Sequence, residues 1–317
     1  MVFNTKYINA EIDRLKKLDK ALSAIAPYAR NLNMLVCQRK ISAVYNREEV
    51  VRNIQKTMLR KNKGNVLLTG AAGCGKTAIA EALARDFVYR ALSYREASAP
   101  IYTGERDADG DKIYSYPEVS KPMFSDYVVY ELVLNSVVSG TKYRGEFEEK
   151  LRDILAQVAQ YPNVILFMDE IHQISTIGAA EGATNMGQIL KPALARGDIH
   201  VIGATTTDEY AHIEKDKALA RRFTRIDVQE IKGADAIACT EKVLNDYAEH
   251  FGIKVNGVSA EDIYSKVKYF LPKTVFPNNV IDIIDETLAS AKFDELTEID
   301  KSHFYATLGR MAGVIIM

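Results

Sequence analysis

Gly70-Ala71-Ala72-Gly73-Cys74-Gly75-Lys76-Thr77 decides the fold. Its spacing is that of a phosphate-binding loop: a glycine, four residues, then Gly-Lys and a hydroxyl residue. Val66-Leu67-Leu68 before it reads as a short buried strand. Ala78 to Tyr89 after it reads as a helix. Glycines let backbone N–H groups converge on phosphate oxygens, and the N-terminus of the following helix adds its dipole. Lys76 is suited to the β- and γ-phosphates, and the Thr77 hydroxyl to the shell of a Mg²⁺ ion. ATP and Mg²⁺ are therefore the expected ligands.

Working outward, Val164-Ile-Leu-Phe-Met168 is an apolar run that delivers Asp169 and Glu170 at its end. Ligands of open α/β sheets bind at the carboxyl ends of strands. Asp169 is expected to hold Mg²⁺ through water, and Glu170 to act as general base on the attacking water. A third strand, Ile199 to Ala204, leads to Thr206, whose hydroxyl is expected beside the γ-phosphate. Arg221 and Arg222 sit together at the end of Ala218-Leu-Ala. In a ring, such a pair can enter the neighbour's active site and neutralise charge in the transition state. These signals favour a nucleotide hydrolase over a kinase, which would need an acceptor site as well.

Alternating strands and helices up to about residue 230 predict an α/β sheet. Beyond it the pattern reads as helices near 234–251, 259–270, 277–292 and 300–311. Three regions are expected: an N-terminal helical extension (1–40), a nucleotide-binding α/β domain (41–230) and a small all-helical domain (231–317). An apolar stripe, Ile8, Ile12, Leu15, Leu18, Leu22 and Ile25, makes the first an amphipathic helix. It could pack on its own domain or on a partner. Residues 93–126 stand apart as an insertion. Within them, Asp109-Gly110 between Ile101-Tyr102 and Ile113-Tyr114 reads as a hairpin turn rather than a calcium loop.

Composition narrows the class. The 317 residues carry 41 Lys+Arg against 42 Asp+Glu, a net charge of −1, which disfavours binding through nucleic-acid phosphates. The balance is uneven, with +7 over residues 1–60 and −8 over the remainder. No apolar run has the length of a membrane span, and the start lacks the apolar core of a signal peptide. Three scattered cysteines, Cys37, Cys74 and Cys239, fit neither a disulfide framework nor a zinc site. They suit a reducing cytoplasm. Cys74, next but one to Lys76 and near a helix start, is expected to have a lowered pKa and to react with thiol reagents.

Longer matches point to a family. They are Gly140-Thr-Lys142-Tyr143-Arg144-Gly145-Glu-Phe-Glu-Glu149, Leu190 to Gly197, Gly203 to Tyr210, Ile213 to Phe223 and Val280 to Glu286. Together with the two motifs above, in this order, they resemble the Clp family of AAA+ ring unfoldases, specifically the first of its two ATPase modules. The resemblance spans about residues 31–315, broken by 93–126. It implies an AAA+ fold, a parallel sheet flanked by helices and followed by a helical lid. It also implies a hexameric ring with polypeptide substrates. Lys142, Tyr143 and Arg144 match the substrate-gripping pore loop, and Gly178 to Gly182 a second one. Thr206 matches the first sensor, Arg221 and Arg222 the arginine fingers, and Val44 and Tyr45 an adenine-side motif.

Departures from the pattern bear on function. Where the family reads Val-Ile-Gly-Arg, this chain has Val44-Tyr45-Asn46-Arg47. Asn279 stands where the family usually has lysine. Within these 317 residues no counterpart is expected of the large N-terminal domain, the coiled-coil arm, the second module or the peptidase-docking tripeptide. The leading expectation is a ring that threads polypeptide at the expense of ATP. Two others stay open: a regulatory or half-motor subunit joining a separate AAA+ module, and a nucleic-acid-remodelling ATPase.

Overall fold

The computed structural model describes residues 3–41, 44–61, 63–106, 109, 111–139, 144–175 and 186–316. They form two compact units: residues 1–44, 51–68 and 77–226, and residues 45–50, 69–76 and 227–317.

The strands of the first part of the chain are β1 (Ala29–Asn31), β2 (Asn65–Thr69), β3 (Ile101–Arg106), β4 (Lys112–Ser115), β5 (Val128–Leu132), β6 (Val164–Met168), β7 (His200–Thr205) and β8 (Phe223–Asp227). Six of them make one sheet in the order β1-β5-β6-β7-β2-β8. β6 runs parallel to both β5 and β7, and β1 is antiparallel to β5 at the edge. Every residue of β2 and of β6 is buried. That is the mark of strands covered on both faces, and it is why Val66–Leu68 and Val164–Met168 read as apolar runs.

The helices are α1 (Thr5–Ala21), α2 (Leu32–Cys37), α3 (Glu48–Met58), α4 (Lys76–Ala97), α5 (Leu134–Ser139), α6 (Arg144–Val158), α7 (Met186–Arg196), α8 (Tyr210–Glu214) and α9 (Lys217–Ala220). The apolar stripe of α1 lies on its own unit. Leu15, Leu22 and Ile25 join Tyr130, Leu132 and Leu151 in the main core. Asn4 caps the helix start by accepting from the Lys6 N–H at 2.9 Å. Glu11, fully buried on α1, is held by Arg14 at 2.6 Å and by Arg95 of α4 at 2.9 Å. Removing either arginine would leave a buried carboxylate with part of its compensation gone, at a cost of up to ~3–5 kcal/mol.

Three features go beyond the sequence reading. The N-terminal region adds a strand, β1, whose three residues are too few to show a period. Helix α4 continues to Ala97, so the start of the 93–126 segment is helical. The hairpin expected around Asp109 is present as β3–β4, with every residue of both strands exposed. Residues 107, 108 and 110 of its tip lie outside the described residues.

The second unit holds α10 (Ala234–Phe251), α11 (Ala260–Phe270), α12 (Asn278–Phe293) and α13 (Lys301–Ala312), close to the expected spans. Ile283, Ile284, Leu288, Val267, Phe304 and Leu308 form its core. Gly252 and Gly313 end α10 and α13 with φ near +68° and +69°, the left-handed stop that glycine takes without a Cβ clash. Besides the helices there is a short parallel pair, β9 (Lys254–Asn256) with β10 (Glu298–Asp300). It buries Ile299 among the helices. No described helix in either unit is long and apolar enough to cross a membrane.

Candidate active site

The phosphate loop lies in the second unit, and its glycines have distinct duties. A Cβ on Gly70 would sit 2.5 Å from the Val228 carbonyl oxygen and 2.9 Å from Cys74 Sγ. Gly73 and Gly75 have φ of +78° and +92°, conformations in which a side chain is strained. Ala71, Ala72 and Gly73 form the exposed crest of the loop, while Cys74 and Lys76 are buried beneath it. Lys76 Nζ donates to the carbonyls of Gly70 and Ala71, both at 2.9 Å. Thr69 Oγ1 donates to Asp227, and the Val228 N–H donates to the Thr69 carbonyl at 2.7 Å. These bonds pin the strand end that feeds the loop.

Cys74 departs from expectation. Its thiol is wholly buried, and burial raises its pKa more strongly than Lys76 and Arg47 lower it. A lysine two residues away does not activate a thiol that water cannot solvate.

Residues 44–47 also repay attention. Tyr45 donates from its hydroxyl to Asp246 of α10 at 2.8 Å, and Lys242 lies 4.8 Å above its ring. Val44 is half-buried. Asn46, at the position of the family's glycine, has φ +55° and donates to the Asp235 carbonyl at 3.0 Å. Asparagine is among the few residues that visit this region readily, so the departure preserves the turn. Arg47, missed as a site residue, is 7% exposed and donates to the carbonyls of Cys74 and Gln229. Its conspicuous signal was a charge following a turn residue, which sequence alone does not distinguish from a surface arginine. Asn279 is buried and donates to Thr274 Oγ1 at 3.0 Å; it brings no charge where the family has a lysine.

In the first unit, Thr77 Oγ1 donates to Asp169 Oδ2 at 2.5 Å. The other carboxylate oxygen of Asp169 accepts the Glu170 N–H at 2.9 Å. A hydroxyl and a carboxylate in contact, at the start of α4 and the end of β6, form a hard oxygen donor pair that fits Mg²⁺. Glu170 has φ +48°, a strained conformation for a residue with a side chain, of the kind concentrated at functional sites. Its exposed carboxylate accepts from Gln173. His172 Nδ1 lies 3.2 Å from Thr205 Oγ1 and 3.3 Å from Glu209 Oε2. Thr206 Oγ1 donates to the same Glu209 oxygen at 2.7 Å and accepts the Glu209 N–H at 3.2 Å. The sequence reading missed His172, Thr205 and Glu209, which link the turn after β6 to the turn after β7. Gly203 makes that approach possible, since a Cβ there would lie 2.6 Å from Ile171 Cδ1.

Arg221 and Arg222 follow α9 directly, the first exposed and the second half-buried. Asp216 caps that short helix, accepting from the Leu219 N–H at 3.1 Å, and pairs with Lys191 of α7 at 2.6 Å. Partial burial pushes the Asp216 pKa up, but Lys191 and the N–H groups of Leu219 and Ala218 outweigh it and hold it below the usual value. Lys142 and Tyr143 lie outside the described residues, as does the 178–182 glycine segment. Arg144 begins α6.

The model of the ATPase family associated with various cellular activities (AAA) matches residues 66–232, more than half of the chain. The chain belongs to the AAA ATPase family. As a member it binds nucleotide and is an ATPase module. It is 33% identical over 298 residues to "Chaperone protein ClpB 1" of Thermosynechococcus vestitus, covering 92% of this chain and 31% of that one. It is 35% identical over 270 residues to "ATP-dependent Clp protease ATP-binding subunit ClpC" of Staphylococcus aureus, covering 85% and 30%. The Saccharomyces cerevisiae Hsp104–casein complex in its extended conformation superposes with a TM-score of 0.72 at 27% identity, covering 92% of this chain and 45% of that one. The AAA module therefore spans about a third of the length of the curated relatives it matches.

Proposed function

We propose that this AAA module is a Clp-type protein-remodelling motor: a ring, hexameric by family resemblance, that uses ATP hydrolysis to draw polypeptide through its pore. The hydrogen bond between Thr77 and Asp169, with strained Glu170 next in the chain, carries the hydrolytic part of this reading. Lys76 and the N–H groups of residues 70–77 hold the phosphates. Thr77 and Asp169 are suited to Mg²⁺, which supplies charge neutralisation on the phosphate oxygens when bound. Glu170 takes the proton of the attacking water. Thr206 lies near the reacting phosphate, and Arg221 and Arg222 stabilise transition-state charge at a neighbour's nucleotide.

Lys142, Tyr143 and Arg144 grip the substrate. A tyrosine on a glycine-flanked loop offers a stiff apolar face that holds many sequences by packing. The likeness to the ClpB and ClpC proteins and to a casein-bound Hsp104 supports polypeptide as the substrate. Three free cysteines support a reducing compartment, the cytoplasm. We assign residues 1–40 to an N-terminal extension, 41–230 to the nucleotide-binding domain and 231–317 to the lid.

The test is ATP-driven threading of an unstructured fluorescent polypeptide. Tyr143→Phe should thread normally and Tyr143→Ala should not, while both keep basal ATPase. Normal threading by Tyr143→Ala would overturn the pore-loop assignment. Salt-sensitive, ATP-dependent remodelling of DNA in place of threading would replace it with a nucleic-acid motor.

A further inference from the structure

The β3–β4 hairpin lies where the family pattern breaks off, and it is left without cover. Among the described residues neither strand pairs with a third, and every residue of both is exposed. A two-stranded sheet on its own is marginal in water, and a third strand or a packed face is what completes one. Tyr102 stands opposite Tyr114 with ring centroids 5.9 Å apart, and Lys112 Nζ lies 5.4 Å from the Tyr102 ring. Side chains alternate along a strand, so these three share one face, and Ile101 and Ile113 belong to the other. Ile101 is 58% exposed, and Tyr116, just past β4, 73%. Apolar and aromatic surface gathered in this way marks an interaction site.

The hairpin is anchored at its base. Ser115 Oγ donates to the Ile101 carbonyl at 3.3 Å, and Thr103 Oγ1 to the Ile113 carbonyl at 3.1 Å. α4 leads into β3. After β4 the chain returns to the same helix, where buried Phe124 stacks on Phe87 at 5.6 Å between centroids. Both ends of the hairpin are thus tied to α4.

Charge selects the occupant. Residues 101–120 carry Arg106 and Lys112 against Glu105, Asp107, Asp109, Asp111 and Glu118, a net charge of −3. A second hairpin of the same sign is repelled, and so is nucleic acid. Ile101-Tyr102-Thr103 and Ile113-Tyr114-Ser115 are themselves uncharged. They lack the lysines and prolines with which natural edge strands block pairing.

We infer that the hairpin captures unfolded cargo as an added β-strand, selecting segments in which basic and apolar residues alternate. Main-chain hydrogen bonds to a strand edge hold any sequence and so suit varied cargo. Apolar side chains of the added strand pack beside the tyrosines or isoleucines, and the carboxylates draw in its lysines and arginines. The inference rests on the polypeptide reading proposed above. It adds a holding site separate in the chain from Lys142, Tyr143 and Arg144.

The experiment follows the fluorescence anisotropy of a labelled peptide of alternating lysine and valine. It uses the Tyr143→Ala chain without nucleotide, so that the proposed pore grip does not contribute. The peptide should bind, and more weakly as salt is raised. Replacing its lysines by glutamate, or alternate valines by proline, should weaken binding on the order of tenfold or more, since one reverses the charge and the other removes main-chain donors. Tyr102→Ser/Tyr114→Ser should loosen the lysine peptide on the order of tenfold. Should that pair also unravel the hairpin, Glu105→Gln/Glu118→Gln keeps both faces and should narrow the preference for lysine over glutamate. No binding, or binding that both double substitutions leave unchanged, would overturn the site. Self-association of the free chain that Tyr102→Ser/Tyr114→Ser abolishes would also overturn it, giving the surface to a second copy. No step needs turnover, so failure here leaves the threading test of Tyr143→Ala standing, and failure of threading leaves this binding to be read.

Discussion

Arg47 Nη2 donates to the Cys74 carbonyl at 2.5 Å while Nη1 donates to the Gln229 carbonyl at 2.8 Å. One guanidinium thereby fixes the underside of the phosphate loop to the segment after β8. Burial lowers its pKa, yet arginine keeps its proton at any working pH. Arg47→Met removes both bonds and leaves two carbonyls unpaired, at a cost of roughly 2–4 kcal/mol. Arg47→Lys can restore only one and should fall between. Urea melts should rank the three chains in that order, and binding of a fluorescent ATP analogue should weaken in the same order. Unchanged nucleotide affinity in Arg47→Met would show that the loop holds its shape without this bolt.

Glu170→Gln should bind ATP and fail to turn it over, since the amide keeps the shape but cannot accept a proton. The strain at φ +48° is a backbone property. Glu170→Gly should therefore be at least as stable as wild type while equally inactive. Steady-state ATPase, nucleotide binding and thermal melts together check this. Normal turnover by Glu170→Gln would remove Glu170 from the chemistry.

The arginine pair predicts complementation. Arg221→Ala/Arg222→Ala should lower turnover by about 10³-fold, by analogy with other arginine fingers, with ATP binding better preserved. Mixed with Lys76→Ala chains, it should recover part of the activity, because intact loops and intact arginines then meet at shared interfaces. Mixed rings that stay inactive would assign the arginines to a role within their own subunit.

All three thiols should be silent. Burial raises the pKa of Cys74 and Cys239, and pushes Cys37 up to about 12 with help from Glu11. At pH 8 each stays protonated, and a protonated thiol is a poor nucleophile. An aromatic disulfide reagent should label the native chain only slowly and all three cysteines after denaturation. Fast labelling of one native thiol, blocked by ATP, would restore the reactive-loop expectation.

Asp216 sets a pH dependence. Its folded pKa lies below the ordinary value, so its contribution to stability is present above that ordinary value. It is lost as pH falls through the depressed one. Asp216→Asn should be less stable than wild type at pH 7, and the difference should close as the pH falls below the ordinary carboxylate range and through the depressed pKa. A gap that does not narrow on acidification would trace to the cap geometry rather than to the charge.

Much of this was legible beforehand because the informative residues are local. The run into Gly70 and the run into Asp169 each state strand, turn and ligand within a dozen residues, and the helices from 234 onward have clear periods, two of them with glycine stops. What escaped was short or long-range. β1, β9 and β10 have three residues each, too few for alternation to register. The link from His172 to Thr205 and Glu209 joins residues more than thirty positions apart. Arg47 and Cys74 misled for one reason: exposure governs both a guanidinium's partners and a thiol's acidity, and neither neighbour spacing nor composition reports it. Asn46 shows the converse, a departure in letter that keeps the left-handed turn.

The order of strands has a consequence for the nascent chain. β2 carries the phosphate loop and lies between β7 and β8, which leave the ribosome some 130 to 160 residues later. Until Thr205 has been made, the strand that leads into Gly70 has neither of its neighbours, and until Asp227 has been made Thr69 lacks its acceptor. The wholly buried β2, with Val66-Leu67-Leu68 at its centre, must wait, exposed or sheltered by other proteins, while those intervening residues are made. Pairing at such separation is slow and leaves unpaired strand edges open to other chains. A motor for which unfolded polypeptide is the proposed cargo thus spends its own infancy as a polypeptide of the same kind.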